Sequence, residues 1–453
     1  MAEKVVLIGA GSAMFLRGLV ADLLRCGWSD AELALVDTDP EALATAEGLT
    51  RKMSAAKGSR IRVSASTDRR GVLAGATVVI CTIGVGGRRA WELDVQIPRR
   101  HGIHQPVGDS VGAGGTSRAL RMIPAMVAIA EDVLELAPRA LFFNYGNPMA
   151  PVCRAVRKAT GADMIGLCHG VNHVADHLAR ILDTTAQRLD YAACGMNHLT
   201  WFTEVRVDGV DAMPRLRRHA RALIAARDGG RVAPVVDGDD YASWSLFDLF
   251  GAFPAVLDRH ICEFFPQLFS REGAYYGRTV GADAMSFERT IRWGDEAYAA
   301  MRAEVASDRP LPDDYFDRIG GEHEQVLEII ASIRRDDGRI YSANLPNRGQ
   351  IPNLPADAVV EAPARARAGG LQPIAQKPLA SGVQGTLATR FAWVETTVEA
   401  ALEGSRDKVV QALIIDGSAP SIETARALAD ELIAAQAAHL PRFAVPKATG
   451  IAS

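Results

Sequence analysis

Near its start the chain runs Val5-Val6-Leu7-Ile8 with no polar residue before Gly9. An unbroken β-branched run that does not alternate predicts a strand buried on both faces, as in a parallel sheet. Gly9-Ala10-Gly11-Ser12 interrupts it, and apolar residues then recur at helical spacing from about Ala13 to Cys26. A second apolar run, Ala31 to Val36, ends in Asp37. Val78 to Ile83 and Ala140 to Asn144 repeat the strand pattern, the latter after an amphipathic stretch from Thr116 to Leu136, and Ile165-Gly166-Leu167 closes another strand. Beyond about residue 190 the rhythm changes. Thr200 to Val207 reads as a strand, Pro214 to Arg227 as a helix, Asp313 to Arg334 as largely helical, and Glu395 to Ala438 as helical with a break at Gly417-Ser418-Ala419-Pro420.

Strand–helix alternation predicts an α/β fold, a Rossmann-type doubly wound parallel sheet over residues 1–190. Residues 191–453 are expected to form a second, α+β domain for substrate, metal and oligomer contacts. No repeat or low-complexity linker separates the two. The order strand, glycine turn, helix, strand, acid is the dinucleotide fingerprint: Gly9 and Gly11 let the backbone approach a pyrophosphate, Ser12 opens the helix, and Asp37 is placed to accept from a ribose hydroxyl, favouring NAD over NADP. Met14 stands where a third glycine is usual. Asn144 and Asn147 leave the end of a buried strand, where cofactor and substrate would meet; a turn stabilised by Asn and Gly is the alternative.

Composition narrows the partners. Of 453 residues 48% are hydrophobic and 23% charged, and 50 basic against 54 acidic residues give 50 − 54 = −4. That balance disfavours nucleic acid and favours a small molecule. Six scattered cysteines do not make a disulfide framework. With no secretory or membrane-spanning run, a cytoplasmic protein is expected.

Several residues carry candidate chemistry. Cys168 and His169 follow a strand end, and His198 lies in Cys194-Gly195-Met196-Asn197-His198. Thiolate and imidazole suit a transition metal with open positions, although a lone cysteine also serves as a small buried hydrophobe. Asp258-Arg259-His260 sets an acid, a guanidinium and an imidazole side by side, and Asp109 precedes the glycine-rich Gly112-Ala113-Gly114-Gly115.

These segments together resemble glycoside hydrolase family 4, the NAD- and metal-dependent glycosidases: GAGSAMF at 9–15, HGIHQPVGDSVGAGG at 101–115, NYGNPM at 144–149, CHG at 168–170, GMNHLTW at 195–201, DRHICEFFP at 258–266 and LPNRGQIPNLP at 345–355. The resemblance implies a lactate/malate-dehydrogenase-like fold and a homo-dimer or homo-tetramer. It implies Cys168 and His198 as ligands of Mn²⁺ or another divalent metal, Asn147 as a substrate contact, Gly9, Gly11 and Asp37 at NAD, and Asp258 as the base at carbon 2, with Tyr275 or Tyr276 next in line. Asp109 and His169 are the candidates for proton donor to the leaving group. The implied mechanism oxidises carbon 3, removes the carbon-2 proton, eliminates the aglycone, adds water and returns the hydride, outside the two-carboxylate scheme of ordinary glycosidases. Trp91 before Glu92-Leu93-Asp94 disfavours a 6-phosphate, and the segments look most like the α-galacturonidase branch, where Arg259 or His260 would pair with the substrate carboxylate. α-Galactosidase, α-glucosidase and α-glucuronidase are the alternatives within the family. A 2-hydroxyacid-type NAD dehydrogenase, or a non-catalytic NAD or sugar sensor, is the alternative outside it.

Overall fold

The structure, a computed structural model, describes residues 3–28, 30–228, 240–266, 270–271, 274–275, 278–279, 286–319 and 325–443. Strands β1 (Lys4–Ile8), β2 (Glu32–Val36), β3 (Arg62–Ser66), β4 (Val78–Cys81), β5 (Leu141–Asn144) and β6 (Met164–Gly166) run parallel in the order 3-2-1-4-5-6. Helices α1 (Leu16–Arg25), α2 (Pro40–Ala56), α3 (Arg70–Leu73), α4 (Gly87–Arg100), α5 (Gly112–Leu136), α6 (Met149–Thr160) and α7 (Gly170–Ile181) connect or follow them. Both faces of the sheet are covered. Val6 and Ile8 of β1 enter one apolar core with α5 and α6, while Val5 and Leu7 enter another with α1 and α2. That is why the first strand is apolar at every position rather than at alternate ones.

The second half continues the same sheet. It comprises β7 (Leu189–Met196), β8 (Leu199–Val207), β9 (Val210–Asp211), α8 (Met213–Asp228), α9 (Tyr241–Phe250), β10 (Phe253–Pro254), α10 (Asp258–Phe264), the small three-stranded sheet of β11 (Ser270–Arg271), β12 (Ala274–Tyr275) and β13 (Arg278–Thr279), α11 (Phe287–Ala306), α12 (Val326–Arg335), β14 (Ile340–Pro346), β15 (Val359–Arg367), β16 (Gly370–Pro373), α13 (Ser381–Glu403), α14 (Arg406–Asp416) and α15 (Ile422–Ala435). Beyond β6 the sheet turns antiparallel, in the order β14-β15-β7-β8-β10. One row of paired residues crosses this change: Val36, Ile8, Cys81, Asn144, Gly166, Asn344, Glu361, Gly195 and Thr200. The change of strand direction falls between β6 and β14, residue 190 lies at the start of β7, and α12 returns to cover the first half, packing in the core that holds α1 and α2.

Two sequence expectations shift. Of the stretch Asp313 to Arg334, the helix begins only at Val326, with turns over 313–317 and residues 320–324 outside the described set. The C-terminal helices break at Gly404 as well as at Gly417, both in left-handed backbone where glycine ends a helix at least cost.

A buried ion pair ties the halves together. Arg121 and Asp94 are 1% and 0% exposed, Arg121 Nη1 donates to Asp94 Oδ1 at 2.8 Å, and the same oxygen accepts from Ser117 Oγ at 2.7 Å and from Gln436 Nε2 at 3.0 Å. Such a pair contributes little net stability, but removing one partner strands a buried charge. Asp94→Ala should therefore lower unfolding free energy by about 3–5 kcal/mol, while Asp94→Leu combined with Arg121→Met should recover most of it. Denaturant unfolding of the two variants beside the wild type measures both.

Candidate active site

The carboxyl ends of the strands build the site, starting at the glycine turn. Gly9 has φ +90°, and a Cβ there would lie 2.8 Å from Ile83 N. A Cβ on Gly11 would lie 2.6 Å from that of Ala42 and 2.9 Å from Asp37 Oδ2, so no side chain fits at either position. Asp37 accepts from Gly11 N at 2.8 Å and from Asp39 N at 3.0 Å, which clamps the turn to the end of β2 while leaving oxygen lone pairs for a ribose. Ser12 caps locally, its hydroxyl accepting from Phe15 N at 3.3 Å, and regular helix begins at Leu16 rather than Ala13. The bare backbone with an acid beside it suits a dinucleotide.

Opposite lies a buried polar group. Ligand atoms of Asp109, His198 and His260 all fall within 4.8 Å of one another. The His198 and His260 rings stand 4.4 Å apart between centroids. His198 occupies the tight β7–β8 turn with φ +61°, a conformation that a bulky residue adopts only where the surroundings impose it. Ser110 Oγ donates to Asp109 Oδ1 at 2.6 Å and lies 2.8 Å from His198 Nδ1. The hydroxyl has one proton, and the carboxylate takes it, so Nδ1 of His198 carries the ring proton and Nε2 keeps a free lone pair.

Charges in this group follow from burial. Burial pushes the His198 imidazole down to about 4, with Asp109 opposing and His169 adding to the effect. Burial likewise holds His260 well below the usual value, reinforced by His198. For Asp109 burial acts upward, but Arg118, His198 and His260 outweigh it and hold the carboxyl below its ordinary range. Two neutral imidazoles, one ionised carboxylate and a buried His260 Nδ1 with no hydrogen-bond partner among the described residues form a donor set suited to a divalent transition metal.

Several candidate residues make contacts outside this group. Cys168, expected beside His198, does not join this group within the same distance; its thiol accepts from Gly170 N at 3.4 Å. Asp258, expected as a base, is engaged elsewhere: its carboxylate accepts from Ala242 N at 3.0 Å, Ser243 N at 2.8 Å and Ser243 Oγ at 2.8 Å, capping α9. A carboxylate held by three donors at a helix start is a cap before it is a base. Arg259, expected at the substrate, donates through Nη2 to Thr290 Oγ1 and, at 3.4 Å, to the Pro106 carbonyl, which ties α10 to α11. Asn144, expected at the cofactor, shapes its own turn, donating to Gly146 O at 3.0 Å and accepting from Gly146 N at 2.9 Å. The side chains of Tyr275 and Tyr276 lie outside the described residues.

Asn147, by contrast, faces the group, donating to Asp109 Oδ2 at 3.1 Å. His169, at the start of α7, is near enough to act electrostatically on both His198 and His260. The sequence reading missed Arg118, half-buried, whose Nε donates to Asn147 O at 3.0 Å and whose guanidinium lies 5.5 Å from the Trp91 ring centroid. Its position on the first turns of α5, after a glycine run that lets α5 abut the Asp109 loop, was the available signal: a Cβ on Gly114 would lie 2.5 Å from Gly108 O.

The family model described as Family 4 glycosyl hydrolase matches residues 4–184, and that of its C-terminal domain matches residues 193–418. The chain belongs to glycosyl hydrolase family 4. Among its relatives in the family, an alpha-galactosidase of Rhizobium meliloti (strain 1021) is 32% identical over 459 residues, covering 97% of this chain and 90% of that protein. An alpha-galacturonidase of Bacillus subtilis (strain 168) is 29% identical over 447 residues, covering 95% of each. The crystal structure described as putative glucosidase lplD from Bacillus subtilis has a TM-score of 0.82 at 26% identity, covering 95% of this chain and 99% of that one. Membership removes the hydroxyacid-dehydrogenase reading, and the chain is a glycoside hydrolase. No helix among the described residues is long and apolar enough to cross a membrane.

The family segment LPNRGQIPNLP proves structural in this member: Asn347 Nδ2 donates to the carbonyls of Ile351, Leu354 and Pro355 at 3.0, 3.1 and 3.1 Å, knotting the loop between β14 and β15.

The buried imidazoles set a pH dependence. His198 and His177 both sit at about 4 when folded and near 6.5 when unfolded, so the unfolded chain alone takes protons in between. Stability from this source is complete above pH 6.5 and is lost as pH falls toward 4, by up to about 3 kcal/mol per group. Melting temperatures of the wild type and His177→Gln from pH 8 to 4 check this, the variant showing the shallower decline.

Proposed function

We propose that this family 4 enzyme is an NAD- and divalent-metal-dependent glycosidase that cleaves α-linked hexuronides, α-galacturonides first among them. The observation that carries the reading is the group of Asp109, His198 and His260, which holds a single carboxylate. Hydrolysis through an oxocarbenium-like transition state needs two carboxyl groups across the scissile bond, whereas one ionised carboxylate with two neutral imidazoles suits a cation. When bound, NAD⁺ supplies a hydride acceptor for carbon 3 and the divalent cation, Mn²⁺ in the first instance, a Lewis acid for the sugar oxygens.

The chain's own residues do the rest. Gly9, Gly11 and Asp37 seat the dinucleotide, and His198 Nε2, Asp109 and His260 hold the cation, with Cys168 as a further donor if α7 shifts toward it. Asn147 orients the sugar from the end of β5. His169 moves the proton to the leaving oxygen, because Asp109, kept ionised, has none to give. Arg118 supports the uronide reading: no acceptor among the described residues binds its Nη atoms, so its fork is open to a carboxylate. A second reading, a neutral α-galactoside, is favoured by the 32% identity to an alpha-galactosidase.

Aryl α-galacturonide and aryl α-galactoside assayed with NAD⁺, Mn²⁺ and a thiol reductant decide between them. We expect turnover only with both cofactors, loss on chelation, at least a tenfold higher kcat/KM for the galacturonide, and deuterium at carbon 2 of sugar released in D₂O. Full activity without cofactor, or no carbon-2 exchange in active enzyme, would overturn the redox mechanism, and a galactoside preference would establish the second reading.

Asp258→Asn tests the cap. It should lower stability by about 1 kcal/mol and reduce turnover only modestly. A stoichiometric burst of NADH with stalled elimination would instead give Asp258 the carbon-2 proton.

A further inference from the structure

Helix α10 carries a second acid that the chemistry above does not use. Glu263 is 4% exposed, and its Oε1 accepts from two successive amides, Val107 N at 2.7 Å and Gly108 N at 2.8 Å. Oε2 is buried and has no hydrogen-bond partner among the described residues. Burial pushes the carboxyl up to about 8, against the pull of the two amides, so it holds its proton at neutral pH. A buried acid with one oxygen unsatisfied costs stability, and a purely structural bridge has cheaper solutions.

The residues it grips lead directly into the active site. Val107 and Gly108 precede Asp109, and on the other side of the same peptide Trp91 Nε1 donates to Val107 O at 2.7 Å. Gly108 has φ +63°, and a Cβ there would lie 2.5 Å from Val95 Cγ2, so no side chain at that position can anchor the loop. His260 sits one turn earlier than Glu263 on α10. One short helix thus presents His260 to the cation group and grips the loop that presents Asp109 to it.

We propose that Glu263 is a positioning residue that sets the Asp109 carboxylate at ligand distance from His260 and His198, and that cation affinity depends on it. This rests on the metal reading above. Fixing both amides fixes the two successive peptides that end at Gly108, one residue short of Asp109, and Ser110 links the Asp109 carboxylate to His198 Nδ1. Residues that orient ligands without touching a metal typically carry ~10–100-fold of its affinity.

The test is calorimetric titration of the NAD⁺-loaded protein with Mn²⁺, alongside NAD⁺ affinity and melting temperature. Glu263→Ala is expected to weaken Mn²⁺ binding ~10–100-fold with NAD⁺ affinity nearly unchanged, since the glycine turn lies on other strands. Glu263→Gln, whose carbonyl accepts from the same amides, is expected to stay within about threefold of the wild type. Glu263→Met, similar in volume and lacking an oxygen, replaces the alanine variant should that one not fold, and should show the same loss. Unchanged Mn²⁺ affinity in folded Glu263→Ala or Glu263→Met overturns the proposal. So does a glutamine variant as weak as the alanine one, because the acceptor would then not be what matters. A wild type that binds no Mn²⁺ overturns the metal reading itself, an outcome distinct from either.

Discussion

Everything in the site hangs on one row of backbone pairs that crosses from parallel to antiparallel strands. Asn344 of β14 pairs with Gly166 at the end of β6, and Glu361 of β15 pairs with both Asn344 and Gly195. Side chains bind the same row: Asn344 donates to Glu361 Oε1 at 3.2 Å and to Gly166 O at 3.3 Å, and Thr200 Oγ1 donates to Glu361 Oε2 at 2.7 Å. A slip by one residue would turn every side chain of these strands to the opposite face. Because the row is continuous, the glycine turn after β1 and the His198 turn after β7 belong to one rigid frame. Burial pushes the Glu361 carboxyl above its ordinary value, and the hydrogen bonds from Thr200 and Asn344 offset part of that.

On that frame the second half supplies chemistry through a single short helix. Within seven residues α10 caps α9 with Asp258, presents His260, and holds the Asp109 loop with Glu263. Arg259 anchors the helix to α11. Geometry at the cation group is therefore set by contacts among α9, α10, α11 and the loop before α5, while the first half supplies the dinucleotide turn, Asp109 and the Asn147 that faces it. The division of labour follows from sheet topology, since strand ends at the switch from β1 to β4 leave a crevice on one side and the antiparallel strands wall it on the other.

How legible this was depended on whether a residue's role was local. Parallel strands such as β1, β2 and β4 could be read because burial on both faces makes nearly every position apolar, and the glycine turn because no side chain fits at Gly9 or Gly11. The polar, half-exposed β3 could not. Nor could strand β15: Glu361, Pro363, Arg365 and Arg367 look like a loop, and only pairing with β14 on one side and with β7 and β16 on the other makes them a strand. The ligand candidate His198 could be named from its segment, but its companions could not, because Asp109 lies 198 − 109 = 89 positions earlier in a loop held by Glu263. The partners of Asp258 were hidden for the same reason: the amides its carboxylate accepts from are 15 and 16 residues upstream, and a single sequence does not reveal that demand.

The pairing of Asn344 with Gly166 has a consequence for how the chain is made. These residues are 178 positions apart, so at roughly 5–20 residues per second the ribosome needs on the order of ten to thirty seconds to deliver β14 after β6 has emerged. During that interval the parallel half ends in a bare, hydrogen-bond-hungry strand edge, the arrangement most prone to stray association between chains. Biogenesis of this protein is thus a wait for its own distant segment, and the crowded moment in its life comes before the catalyst exists.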